Sequence, residues 1–338
     1  MEVQHDLAAG RFKRLSKNGV PPPWPNALAT SFMILVFSCL GFHPLQAQEK
    51  PAAATTRVRM TVTVRLLDQS RRMPEVNRED VIVMQGKERL RVTGWTPARG
   101  EKAGLDLFIL VDDACDPSLG SQLEDLRSFV NGQPPTTSVG VGYMRNATVQ
   151  MTQNFTNDHE QAAKALRLPI ASSGAFGSPY LSVTDLMKRW PAHPNRRQVV
   201  MVTDGIDRAR GGPRSRLMTN PDVDTASTVA QRTGTMIHTI FARGVGRLGS
   251  NFWEINRGQM GIAQLSDQTG GESFYLGMQN PVSFKPYLDD IQRALDNQYL
   301  LEFEVIPGTK SGLRSVNLTT EVAGVELDSA DSVWVEAK

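Results

Sequence analysis

Apolar and polar residues alternate at the start of the mature-looking chain. Val58, Met60, Val62, Val64 and Leu66 interleave with Arg57, Arg59, Thr61, Thr63 and Arg65. A period of two predicts a strand with one buried face. Val81-Ile82-Val83-Met84 and Leu90-Arg91-Val92 follow, separated by Gln85-Gly86-Lys87. That spacing predicts a hairpin in which the glycine supplies a positive φ. Residues 55–97 therefore form a β-rich region, set off from the N-terminus by a linker at 48–54 containing Pro51-Ala52-Ala53-Ala54.

The pattern changes at Leu105. Leu105-Asp106-Leu107-Phe108-Ile109-Leu110-Val111 is a mostly apolar run ending in Asp112, which predicts a strand buried on both faces. Leu119, Leu123, Leu126 and Val130 recur at helical spacing before the stop Asn131-Gly132. Strands at Ser138–Met144 and Ala147–Met151 come next, then a helix from Asp158 to Leu166 with a capping-box spacing of Asp158 and Gln161. A helix around Leu181–Trp190, the strand Val199–Val202, a helix with Pro221 in its first turn and the strand Met236–Phe241 continue the alternation. Gly244-x-Gly246-x-x-Gly249 lies far from the first strand–helix unit and reads as a flexible loop rather than a dinucleotide cradle. A helix around Gln259–Gln268 stops at Gly270-Gly271, the strand Ser273–Leu276 follows, and Phe284, Tyr287, Leu288, Ile291 and Leu295 make a helical stripe. The fold class is α/β: residues 104–297 predict a doubly wound, mainly parallel sheet of Rossmann type with helices on both faces, beside a flanking β-rich domain.

The tail, 298–338, returns to strands at Tyr299–Ile306, Leu313–Glu321 and Ser332–Val335. These are expected to pack with residues 55–97, which makes the α/β unit an insertion.

The first 47 residues decide the compartment. Arg11, Lys13, Arg14 and Lys17 precede the apolar stretch Ala27–Phe42, and Leu45-Gln46-Ala47 follows. That order is expected of a signal peptide cleaved after Ala47, or of a retained N-terminal anchor, although the stretch is shorter than the ~20 residues of a spanning helix. The destination is the periplasm, the cell envelope or the medium. Cleavage removes Cys39 and leaves Cys115, so no intramolecular disulfide forms. Lys plus Arg total 37 against 35 Asp plus Glu. A net charge of +2 implies no nucleic-acid partner and no membrane contact beyond the N-terminus.

Ligands of an open parallel sheet bind outside the C-terminal strand ends at the switch point. Two strands here end in acids, in Val111-Asp112-Asp113-Ala114-Cys115-Asp116 and Val202-Thr203-Asp204-Gly205. These segments resemble the metal-ion-dependent adhesion site of the von Willebrand factor type A family. The resemblance implies a divalent cation, Mg2+, Mn2+ or Ca2+, held by Asp112, Asp116, Ser178 and Asp204, with Asp113 auxiliary and no organic cofactor. Hydroxyls and carboxylates suit a hard cation and leave a position open for an acidic partner. Ala114 brings no oxygen where the family has a hydroxyl, and Asp116 replaces a neutral donor, so an ion-free, vestigial turn is the alternative. Leu105–Asp113, Thr203-Asp204-Gly205, Gln268–Tyr275 and Gln298–Phe303 also look like the VWFA-related domain proteins typical of Acidobacteria.

The function this implies is an exported binding, adhesion or scaffold module with a protein partner at the C-terminal edge of the sheet. A purely structural envelope-assembly role is the alternative, and a metal-dependent hydrolase a weaker one. No catalytic residue is assigned. Arg208, Arg210, Arg214 and Arg216 follow Asp204 in a Gly- and Pro-containing loop that reads as solvated or, where it flanks the crevice, as holding an acidic partner beside or instead of a metal. His238 reads as a core residue, Cys115 as inert, and Phe252 with Trp253 as an apolar anchor or buried packing.

Overall fold

Two kinds of apolar pattern build two kinds of sheet. The computed structural model describes residues 55–68, 72–174, 176–209, 220–275 and 277–337. The apolar segment Ala27–Phe42 and the arginines 210, 214 and 216 lie outside them.

The alternating segments give β1 (Thr56–Leu66), β2 (Val81–Gln85), β3 (Glu88–Leu90) and β4 (Val92–Pro97). The α/β unit follows with β5 (Leu105–Asp112), α1 (Gly120–Asn131), β6 (Thr137–Arg145), β7 (Thr148–Thr156), α2 (His159–Lys164), α3 (Pro179–Arg189), β8 (Arg196–Thr203) and α4 (Pro221–Thr233). It ends with β9 (Thr235–Phe241), α5 (Gly246–Gly249), α6 (Phe252–Thr269), β10 (Ser273–Phe274) and α7 (Lys285–Asp296). Strands β11 (Gln298–Val305), β12 (Gly312–Ser315), β13 (Asn317–Thr320), β14 (Val325–Ser329) and β15 (Ser332–Val335) complete the described chain.

The central sheet has the order β10-β9-β8-β5-β6-β7. All its pairings are parallel except β6 with β7. Counted from β5 as strand one, this is the doubly wound order 3-2-1-4-5-6, with an antiparallel edge. Successive residues of β5 feed opposite cores. Leu107, Ile109 and Val111 pack with Leu126 and Val130 of α1 and Leu288 and Ile291 of α7. Phe108 and Leu110 pack with Val183 and Leu186 of α3 and Ala226 and Ala230 of α4. Each fully buried large apolar side chain contributes roughly 1.5–3 kcal/mol relative to exposure, which explains why β5 and β8 carry continuous apolar runs.

The flanks meet outside this unit. β1 pairs antiparallel with β11, Thr56 opposite Val305 through Thr63 opposite Gln298, and on its other side with β14. Met60, Val62, Val64, Leu301, Phe303 and Leu327 share one core there with Val81 and Val83 of β2. Polar groups join the two bodies: Arg196 Nη1 donates to Gln298 Oε1, and Gln298 Nε2 to Thr63 Oγ1 at 3.3 Å.

Several boundaries differ from the sequence reading. α6 begins at Phe252, seven residues ahead of the apolar stripe at Gln259. The segment Leu313–Glu321 is two strands, β12 and β13, which pair with different partners. β14 emerges where no strand is expected, and the glycine-rich 244–249 segment contains the short helix α5. Among the described residues no helix is long and apolar enough to cross a membrane.

Candidate functional site

The chain leaves β5 toward β6 on one side and reaches β8 on the other, so the C-terminal ends of β5 and β8 flank the switch point. Asp112 is the last residue of β5, and Thr203 and Asp204 end β8 and start the next loop. A bond closes the crevice between them: Thr203 Oγ1 donates to Asp112 Oδ2 at 2.7 Å, while Asp112 Oδ1 accepts from the Ala114 N–H at 2.8 Å. Asp204 is fully buried. Its Oδ1 accepts from the Ile206 N–H at 2.9 Å and from Arg208 Nη1 at 3.0 Å, and its Oδ2 pairs with Arg208 Nη2. The guanidinium thus grips the carboxylate as a fork, the strongest geometry for an arginine–carboxylate pair.

Burial pushes the Asp112 carboxyl up to about 6, with the nearby Asp204 charge adding to the rise and Arg208 opposing it. For Arg208, the facing carboxylates outweigh burial and hold its pKa above the ordinary arginine value. A water-sized cavity of about 10 Å3 lies beside these groups, lined among others by Asp112, Arg145, Ser173, Ser178 and Arg208.

The remaining predicted ligands are engaged locally. Ser178 caps α3: its Oγ accepts from the Leu181 N–H at 3.4 Å and donates to Asp207 Oδ2 at 3.1 Å. Asp116 accepts from the Ser118 N–H at 2.8 Å, a bond that lowers its pKa and folds the carboxylate over its own turn. Asp113 is buried in a two-bond pair with Arg167, 2.7 and 2.9 Å, and the Arg167 guanidinium lies 3.8 Å over the Tyr143 ring. Arg208 is turned inward onto Asp204, neither solvated nor facing a partner as the loop reading expects. Among the described residues no group of three or more His, Cys, Asp or Glu side chains is placed to hold a metal ion.

The sequence motif contains Thr203 without giving it a role, and sequence reasoning missed Asp207 and Tyr180, whose hydroxyl donates to the Gly205 carbonyl at 2.9 Å. The Asp204-x-x-x-Arg208 spacing was the available signal for the internal pair. His193 and Asp106, 3.1 Å apart, sit at the other end of β5; Trp190 and Asn195 bond the same carboxylate, so it anchors the loop before β8. His238 is buried in β9 between Gln198 and the Glu272 backbone.

The loops around the switch point are tied together by backbone bonds. Asp116 N–H donates to the Arg243 carbonyl and Val245 N–H to that of Ala114, both at 2.9 Å. Ser172 N–H donates to the Asp113 carbonyl at 2.7 Å.

No family model matches the chain. One curated protein, a probable dipeptidyl-aminopeptidase B of Metarhizium robertsii, is 26% identical over 150 residues, 44% of this chain; the chain spans only 15% of that protein's length. Among solved structures, a von Willebrand factor type A protein from Catenulispora acidiphila superposes with a TM-score of 0.42 at 10% identity, covering 70% of this chain and 67% of that one. The conserved hypothetical protein BatB from Bacteroides thetaiotaomicron gives 0.38 at 12% identity, over 56% and 97%. The ArnB paralog VWA2 from Sulfolobus acidocaldarius gives 0.36 at 9%, over 84% and 76%. The α/β unit of this chain, with its 3-2-1-4-5-6 order, one antiparallel edge and Asp112 and Thr203-Asp204 at the switch point, is similar in fold to von Willebrand factor type A domains.

Proposed function

We propose that the chain is an exported, non-enzymatic binding module that holds a protein partner on the loops at the C-terminal edge of its parallel sheet. One observation carries this reading: the distribution of exposed apolar side chains. Among the described residues, every large exposed apolar side chain except Leu67 and Met260 lies on the loop between α2 and α3, in the first turn of α6 or on the loop between β10 and α7, all at the C-terminal edge of the sheet. Phe176 is 68% exposed ahead of α3, Trp253 71% at the start of α6, and Val282 90% between β10 and α7. Phe252 and Trp253 pack edge to face, ring centroids 5.4 Å apart. Exposed apolar groups clustered at one edge mark an interaction surface, and tryptophan is a preferred anchor residue of such surfaces. Export rests on the basic and apolar order of the first 47 residues.

The test is site-specific photo-cross-linking in the envelope fraction, with the photoreactive group at position 253, at 282, and at the exposed Arg57 of β1 as control. A common partner captured from 253 and 282, absent from 57, and lost in Phe252→Ala/Trp253→Ala is the expected result. Identical capture from all three positions would refute the reading.

A further inference from the structure

A crevice of this family implies a divalent cation, so the chemistry of the donors decides whether one fits. A hard cation takes six or more oxygens whose lone pairs face it. Both Asp204 oxygens face the Arg208 fork, and Oδ1 also takes the Ile206 N–H. Both Asp112 oxygens accept protein bonds, Ser178 directs its proton to Asp207, Asp116 is folded onto Ser118, and Ala114 has no side-chain oxygen.

The surrounding backbone fixes this arrangement. Residues 114–116 are bonded to 243–245, with Cys115 and Gly244 forming an antiparallel bridge. Gly244 roofs the ion pair: a Cβ there would stand 1.8 Å from Asp204 Oδ2 and 2.6 Å from Arg208 Nη2. The residues present do not fit a divalent ion. An entering metal would have to displace a guanidinium whose side chain is 13% exposed, leaving it without its carboxylate.

We infer that Arg208 is the resident cation of this crevice: its guanidinium holds Asp204 in the role that a divalent metal has in the family, and the site is complete without metal. Arginine suits this role because its planar fork meets both carboxylate oxygens at once, which the point charge of lysine does not. The inference concerns the site alone and stands whether or not a partner docks at the edge above it.

The test uses the purified full chain and Mn2+ alone, read by the electron paramagnetic resonance signal of the free ion, with melting temperature as a second readout. The parent chain is expected to leave the signal undiminished, and millimolar Mn2+, Mg2+, Ca2+ or chelator to leave its melting temperature unmoved. Arg208→Ser frees the Asp204 carboxylate, and is expected to bind Mn2+ at least about tenfold more tightly than the parent and to regain stability with added methylguanidinium. Loss of signal with the parent that disappears in Asp112→Asn or Asp204→Asn would overturn the inference, and this arm does not depend on Arg208→Ser folding. Signal loss unchanged in both variants places the ion elsewhere and supports it. A folded Arg208→Ser chain that gains neither Mn2+ affinity nor methylguanidinium rescue would also overturn it.

Discussion

Gly244 lies so close to Asp204 that a single added methyl group would stand 1.8 Å from its Oδ2. Neither side can easily retreat, because the carboxylate is fully buried and gripped by Arg208, and the Gly244 backbone is bridged to Cys115. Gly244→Ala is therefore expected to lose about 1–3 kcal/mol through overpacking, although the residue has no strained φ to explain its identity. Urea unfolding of the two proteins measures this. A variant as stable as the parent would mean that the ion pair moves freely, against the fixed geometry described above.

Asp113 and Arg167 form a second internal pair whose removal should be asymmetric. Asp113 is 1% exposed and Arg167 40%, so the arginine is partly screened while the carboxylate depends on it. Arg167→Met leaves a buried carboxylate without its cation and is expected to cost about 2 kcal/mol, below the range for a fully buried pair because solvent still reaches the position. Arg167→Met/Asp113→Asn should recover most of that loss. A double-mutant cycle on unfolding free energies gives the coupling directly, and strictly additive single effects would refute it.

Cys115 should be silent toward thiol reagents. Its side chain is fully buried, with Sγ 3.6 Å from the Ala242 carbonyl. Burial raises its pKa well above the ordinary thiol value, and the charges of Asp112 and Asp204 add to the rise. Since the thiolate is the reactive form, an Ellman titration should find no reactive thiol at position 115 in the native protein and full reaction after denaturation. Rapid labelling of Cys115 in the native state would contradict this.

Strands such as β5 and β8 are legible in the sequence because burial on both faces demands an uninterrupted apolar run, which few other elements require. The first half of α6 is not legible. Gly258 and Gly261 weaken its helical signal, yet a Cβ at Gly258 would meet the Asp204 carbonyl at 2.1 Å, so the glycine that hides the helix is what lets it approach the site. Phe252 and Trp253 add apolar residues on an exposed surface, where a core-facing stripe gives no place for them. The break at Val316 was invisible for another reason: an alternating segment looks the same whether it serves one sheet or two. Likewise the acids at the ends of β5 and β8 can be read as a pair from their motifs, but the partner of each charge is set by tertiary proximity. Only the fold reveals that Arg208 returns to Asp204 and that Arg167, 54 residues along the chain, covers Asp113.

His238 should give the protein a distinct acid-side sensitivity. Its Nδ1 accepts from the Glu272 N–H at 3.1 Å, which leaves the ring proton on Nε2 to be donated to Gln198 Oε1, also at 3.1 Å. The neutral ring is thus satisfied on both sides. Burial pulls its pKa down to about 4, against the opposing charges of Glu272 and Asp328. In the unfolded chain the same group titrates near 6.5. Between these values the unfolded state binds a proton that the folded state refuses, so this contribution to stability is intact above about pH 6.5 and falls as pH drops toward 4, by up to about 3 kcal/mol. His238→Gln keeps a polar side chain but removes the titration. At neutral pH the variant should be the less stable protein, because its amide cannot reproduce both ring bonds, and its deficit should shrink as pH falls from 7 to 4. Unfolding free energies of parent and variant across that range test the assignment, and parallel pH profiles would show that His238 titrates alike in both states.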